Sequence, residues 1–136
     1  MAESSAPEVL AIQAANRAYY AALSSRDMRA MQMVWSRSVD DVNIAPPIAP
    51  VAHIGWPAVK ANYESFWSTL DELTASMEQP TIKMEGNVAW VFGIEHATRR
   101  TKDGQVSGGP NFGTSIFVKR DERWLMVFHQ STLKPK

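Results

Sequence analysis

Apolar residues recur at spacings of three and four along the first part of the chain and at spacings near two along the rest, which predicts helices followed by strands. After Ser4, Ser5 and Pro7, the positions Val9, Ile12, Ala15, Ala18 or Tyr19, Ala22 and Leu23 mark one face of an amphipathic helix of about five turns. The polar stretch Ser24-Ser25-Arg26-Asp27 interrupts it. Asp27 can accept from the free amides of a second, shorter helix that carries Met28, Met31, Val34 and Trp35. Prolines 46, 47 and 50 exclude a helix from the next stretch and leave room for short extended pieces at Val42–Ala45 and Val51–Ile54. Gly55 ends the second piece. Pro57 suits the first turn of a third helix, where an amide hydrogen would be unpaired anyway, and Val59, Tyr63, Phe66 or Trp67 and Leu70 form its apolar stripe.

Four β-rich runs follow, at 73–85, 88–101, 111–120 and 123–133, separated by Gly86-Asn87, Lys102-Asp103-Gly104 and Arg120-Asp121-Glu122. Hairpin turns at these points imply an antiparallel meander. In the second run, large apolar groups occupy both parities, with Trp90, Phe92 and Ile94 on one face and Val91 and Ala97 on the other. In the last run Trp124, Met126 and Phe128 alternate with Leu125, Val127, His129 and Ser131. One sheet face should cover the helices. The outer face then needs another partner, and we expect a homodimer formed through it; the alternative is that its aromatics are merely exposed. No repeat, low-complexity tract or linker divides the chain, so residues 1–136 read as a single domain with 1–6 as a flexible tail.

Composition narrows the function classes. A chain of 136 residues buries roughly two-thirds of its unfolded surface, enough for one core without staples. Its 14 basic and 14 acidic side chains cancel, which argues against nucleic acid or an anionic membrane surface as a partner. With no cysteine, disulfides, thiolate metal sites and a thiol nucleophile are excluded. The acidic, proline-containing start lacks the features of a signal peptide, and no apolar run is long enough to span a membrane, so a cytoplasmic location is expected.

Four segments carry a family resemblance: YYAALSSRDMRAM, DDVNI, IGWPAVKANYESFW and RWLMVFHQST, in that order and spacing. With them the chain resembles the NTF2-like superfamily, specifically its SnoaL-like and ketosteroid-isomerase-like members. The resemblance implies an α+β, cystatin-like cone, in which three N-terminal helices pack on a curved, mainly antiparallel sheet around an apolar pocket. In ketosteroid isomerases the segment after the Asp pair ends in a catalytic Asp followed by Pro; here Pro46 falls on the base position, and proline cannot accept a proton. Tyr19 matches the tyrosine that donates to the developing oxyanion, Tyr63 a second tyrosine of that network, Trp35 a pocket aromatic and Thr114 the second oxyanion donor. Asp40 and Asp41 read as turn carboxylates bonded to backbone amides, unless one points into the pocket.

A relocated base would be a histidine, whose ordinary pKa near 6.5 lets it give and take protons at neutral pH. His129 is the candidate catalytic group, with Tyr19 and Tyr63 as its hydroxyl partners; a satisfied core histidine is the alternative. His53 and His96, the aromatics Trp35, Trp67 and Phe92, and the polar Asn111, Thr114 and Ser131 are candidate ligand-binding residues. The histidines show no metal-ligand spacing, and neither a metal nor another cofactor is expected. The glycine-rich VSGGPNFGTS precedes a strand, so it is no phosphate cradle and reads as a hairpin arm at the pocket rim. Arg99, Arg100 and Lys102 read as solvated surface. Two function classes result: an acid/base isomerase, dehydratase or cyclase acting on a small hydrophobic carbonyl compound, or a dimeric ligand-binding or interaction module without chemistry.

Overall fold

The computed structural model describes residues 2–45 and 51–134. Pro46, assigned above to the vacant base position, lies outside them. The first helix, α1 (Ala2–Ser25), starts earlier than the hydrophobic stripe suggested, runs through the segment expected to be a flexible tail, and contains Pro7. It buries Ile12, Asn16, Tyr19, Tyr20 and Ala22. The second, α2 (Met28–Val34), is capped as its sequence implies: the Asp27 carboxylate accepts from the Ala30 amide at 3.2 Å, a contact of the kind that contributes about 1 kcal/mol. Trp35 leaves the helix extended and fully buried.

The Asp40-Asp41 pair divides in role. Asp40 is exposed. Asp41 is fully buried and accepts from the Ser36 hydroxyl and from the amides of Arg37 (2.8 Å) and Ser38 (3.2 Å), so it ties together the turn that launches β1. Strands β1 (Val42–Ala45) and β2 (Val51–Ile54) pair antiparallel. Gly55, at φ 90°, then opens α3 (Trp56–Trp67), which buries Val59, Tyr63 and Trp67 at successive helical turns.

Strands β3 (Leu70–Glu85), β4 (Val88–Thr101), β5 (Val106–Arg120) and β6 (Arg123–Leu133) form the expected meander. The sheet has six strands rather than four, in the order β2-β1-β6-β5-β4-β3, because the short hairpin joins its edge. β1 runs parallel to β6, so the sheet is mixed. The third helix follows the first hairpin, as its place after the two extended pieces and Gly55 implied. The glycine-rich segment belongs to β5 and forms the β4–β5 hairpin arm: Gly108 and Gly109 pair with Thr98 and Ala97, and Asn111 lines the cavity described below. A Cβ at Gly108 would fall 2.1 Å from the Ala97 carbonyl oxygen, which explains the residue type.

The inner sheet face carries Ala89 and Val91 of β4, Phe117 of β5, and Trp124 and Met126 of β6, all buried with the helices. Strict alternation would place Met126 and His129 on opposite faces. The register instead slips between Ile116–Phe128 and Phe117–Met126, so Val127 is the extra residue of a β-bulge and both Met126 and His129 turn inward. The outer face leaves Val88, Trp90 and Phe92 about two-fifths exposed on this chain. Among the described residues no helix is long and apolar enough to cross a membrane.

Candidate active site

Between α1, α3 and the inner sheet face lies a cavity of about 330 Å³, at the small end of ligand pockets. Its far wall comes from β4, whose period-two alternation carries Glu95, Ala97 and Arg99 inward while His96 points out. β6 adds His129 and Ser131 beyond the bulge, and β1 adds Asn43, which pairs with His129 across the parallel ladder. Consecutive Tyr19 and Tyr20 of α1 and Tyr63 of α3 close the helical side. Leu23, Phe66, Leu73 and Ala75 supply apolar wall.

Glu95 organises the polar end. It is only 4 % exposed, yet each carboxylate oxygen is met: Ser131 donates to Oε1 at 2.5 Å, Tyr20 donates to Oε2 at 2.6 Å, and His129 Nε2 stands 3.1 Å from Oε2. Burial by itself would raise the Glu95 pKa. The neighbouring imidazole and the hydroxyls of Ser131 and Tyr20 outweigh that penalty and hold the carboxyl below its ordinary value. Gly113 on β5 makes the room, since a Cβ there would lie 2.5 Å from Glu95 Cγ and 2.6 Å from its Cδ.

His129 is 2 % exposed and bonded at both nitrogens. Nδ1 meets the Ser115 hydroxyl at 2.7 Å, and Nε2 lies 3.3 Å from Ser131 Oγ as well as beside Glu95. A hydroxyl both donates and accepts, so Ser115 accommodates either tautomer and the protonated ring alike. Ser115 is fully buried and absent from the cavity wall, which rules it out as a nucleophile despite its triad-like spacing to His129 and Glu95.

The Tyr19 ring packs on the imidazole at 4.6 Å, and Tyr63 donates to the Tyr19 hydroxyl at 3.4 Å. Burial, reinforced by Tyr63, Glu95 and Tyr20, pushes the Tyr19 phenol well above its usual range; burial, then Glu95, does the same to Tyr20. Burial also raises Tyr63, against the opposing effect of its bond to Tyr19. All three stay protonated and act as donors. Either hydroxyl of the Tyr19–Tyr63 pair can donate to the other, so Tyr19 can turn its proton to a ligand while accepting from Tyr63.

The structure thus brings together His129, Tyr19, Tyr63, Asn111 and Ser131 on one cavity. The other candidates fall elsewhere. Trp67 stacks on Tyr63 at 5.4 Å and Trp35 packs 6.4 Å from it, so both support the tyrosine from behind without lining the cavity. His53 sits on edge strand β2, pairs only through its backbone with Asn43, and does not line the cavity. His96, Phe92 and Thr114 belong to the outer face: His96 meets Glu78 at 3.0 Å, Phe92 stacks on Phe112 at 5.7 Å, and Thr114 pairs with Phe92 across the ladder. Period two carries them there together, opposite Glu95. Sequence reasoning missed Glu95, Tyr20, Asn43, Ser115 and Arg99. Glu95 had a readable signal, as the one carboxylate sharing parity with Val91 and Ala97. Among the described residues no three histidine or acidic side chains group as a metal site.

A family model described as a SnoaL-like domain matches residues 12–134. No curated protein matches the sequence. Among solved structures, an NTF2-like superfamily protein of Salmonella enterica superposes with a TM-score of 0.84 at 20 % identity, covering 92 % of this chain and 89 % of that one. A candidate dehydratase of the NTF2-like family from Streptomyces avermitilis gives 0.82 at 16 % identity over 96 % and 98 % of the two chains. A candidate scytalone dehydratase from Novosphingobium aromaticivorans gives 0.80 at 17 % identity over 98 % and 89 %. The family match spans nearly the whole described fold and its cavity, and this chain belongs to the SnoaL-like domain family, with the NTF2-like fold.

Proposed function

We propose that the protein is an acid/base enzyme that moves a proton on a small hydrophobic carbonyl compound. The observation that carries this reading is the convergence of the His129–Glu95 pair and the Tyr19 hydroxyl on one 330 Å³ cavity. With Nδ1–H donated to Ser115, His129 turns its Nε2 lone pair from Glu95 to the ligand and takes a proton from the carbon beside the carbonyl, and the imidazolium that forms then donates Nε2–H to the Glu95 carboxylate. The electron pair moves onto the carbonyl oxygen, which receives the Tyr19 hydrogen bond. Returning the proton to the γ-carbon of a β,γ-unsaturated ketone, two carbons further along, completes an isomerisation to the conjugated ketone. Giving it to a β-hydroxyl that leaves as water completes a dehydration. The dehydratase names of two structural relatives agree with this chemistry but belong to those proteins.

Exchange of ketone α-hydrogens into deuterated water tests the step without knowledge of the natural substrate. Wild-type protein should speed deuterium uptake by small cyclic ketones above buffer, and His129→Gln should lose about 10²- to 10⁴-fold of that acceleration. Tyr19→Phe should retain binding and lose most of the exchange. Exchange that survives His129→Gln within threefold would sink the assignment of the base. One observation favours a second reading: both His129 nitrogens and both Glu95 oxygens already have internal partners, as in a structural network. Ketone binding with no exchange would make the protein a ligand-binding module. For either reading we propose a homodimer through the outer face around Trp90 and Phe92, so Trp90→Glu should lower the mass found by sedimentation equilibrium without unfolding the chain.

A further inference from the structure

Arg99 was expected among solvated charges, yet it faces the same cavity as Glu95, two inward positions along β4. Its neighbour Arg100, on the opposite face, pairs with Glu72 at 3.5 Å. Among the described residues no carboxylate forms an ion pair with Arg99. Glu95, the carboxylate on the same face, is committed to His129, Tyr20 and Ser131. Four residues of strand set the two positions roughly 13 Å apart along the backbone. Leu23, Phe66, Leu73 and Ala75 supply the apolar wall of the same cavity, and Asn62 and Asn111 also line it.

We propose that the ligand is an oxo acid: an apolar body with its carbonyl at the Tyr19–His129 end and a carboxylate held by the Arg99 guanidinium. The proposal rests on the acid/base reading above and adds the charge of the substrate. Guanidinium presents a planar fork that matches a carboxylate with two parallel hydrogen bonds. Glu95 repels a carboxylate at the opposite end, so the same pair of charges that attracts the ligand also orients it. The net charge of the chain is zero, which makes this local cation the feature that selects an anionic ligand.

The test uses the full chain and matched aryl ketones, benzoylpropanoate and benzoylbutanoate, each as the free acid and as the methyl ester, with affinity measured by calorimetry and ketone exchange by NMR. The wild type should bind the better-fitting acid at least roughly tenfold more tightly than its ester. Arg99→Gln should abolish that preference while leaving ester affinity within threefold, and Arg99→Lys, which keeps the charge and loses the fork, should retain part of it. Circular dichroism and melting temperature verify that the variants are folded. Equal binding of acid and ester, or a preference that survives Arg99→Gln, overturns the role of Arg99 and leaves the acid/base reading standing. Selective acid binding without exchange supports Arg99 while removing the acid/base reading. Failure of all four compounds to bind at millimolar concentration overturns both.

Discussion

Replacing Glu95 by Gln isolates the carboxylate charge from its shape. The carboxylate has Ser131, Tyr20 and His129 within 2.5, 2.6 and 3.1 Å, and hydrogen bonds to a charged acceptor contribute about 1.5–3 kcal/mol against about 0.5–1.5 kcal/mol for neutral pairs. Glutamine can keep Tyr20 and His129 on its carbonyl, but its NH2 must then face Ser131. Weakening each contact by about 1 kcal/mol sums to about 3 kcal/mol, and relief from burying a charge returns part of that, leaving a net loss of about 2 kcal/mol at pH 7. In a domain of this size that lowers the melting temperature by roughly 6–10 °C. The loss should also depend on pH. The folded-state pKa of Glu95 is depressed, so its contribution is fully present above the unfolded carboxyl value, near 4.3, and disappears as pH falls through the folded value. Urea unfolding of wild type and Glu95→Gln at pH 7 and under more acidic conditions should show the gap closing as pH falls. A variant as stable as wild type at pH 7, or a deficit that pH does not alter, would refute the argument that the buried charge is compensated by its donors.

Tyr20→Phe removes the donor 2.6 Å from Glu95 Oε2; it should cost about 1–3 kcal/mol and move the Glu95 titration upward, visible by carbon NMR of the labelled carboxyl. Gly113→Ala drives a methyl to 2.5 Å from Glu95 Cγ, so it should destabilise by about 1–3 kcal/mol and slow ketone exchange, and an unchanged calorimetric melting temperature would contradict the close approach. Glu122, at φ 65° in the β5–β6 turn, holds a conformation that glycine adopts freely; Glu122→Gly should stabilise by roughly 0.5–1 kcal/mol in urea melts.

Local pattern carried much of this fold. The bounds of β1, β2, β4 and β6 agree with the runs read from proline placement and alternation, because those signals depend only on neighbouring residues. Pairing between distant segments was not legible. Joining β1 to β6 brings Asn43 beside His129 across more than eighty residues of chain, and no periodicity encodes that contact. Parity placed Phe92 and His96 together correctly but left open which face was inward, and Glu95 settles it: the face that holds the acid is also the face that holds the cavity. His129 illustrates the remaining gap. Alternation separated it from Met126, and only the extra residue in β6 reunites them.

That extra residue separates curvature from facing. If Val127 were deleted, Met126 would still point in, Phe128 out and His129 in, because the ladder on either side of the bulge would simply close up. What would change is the bend of the strand, and with it the width of the space beneath α1. The breadth of the cavity and the chemistry of its lining are therefore written at different places in the gene: a single codon can retune the size of molecule admitted while every acid/base group keeps its orientation.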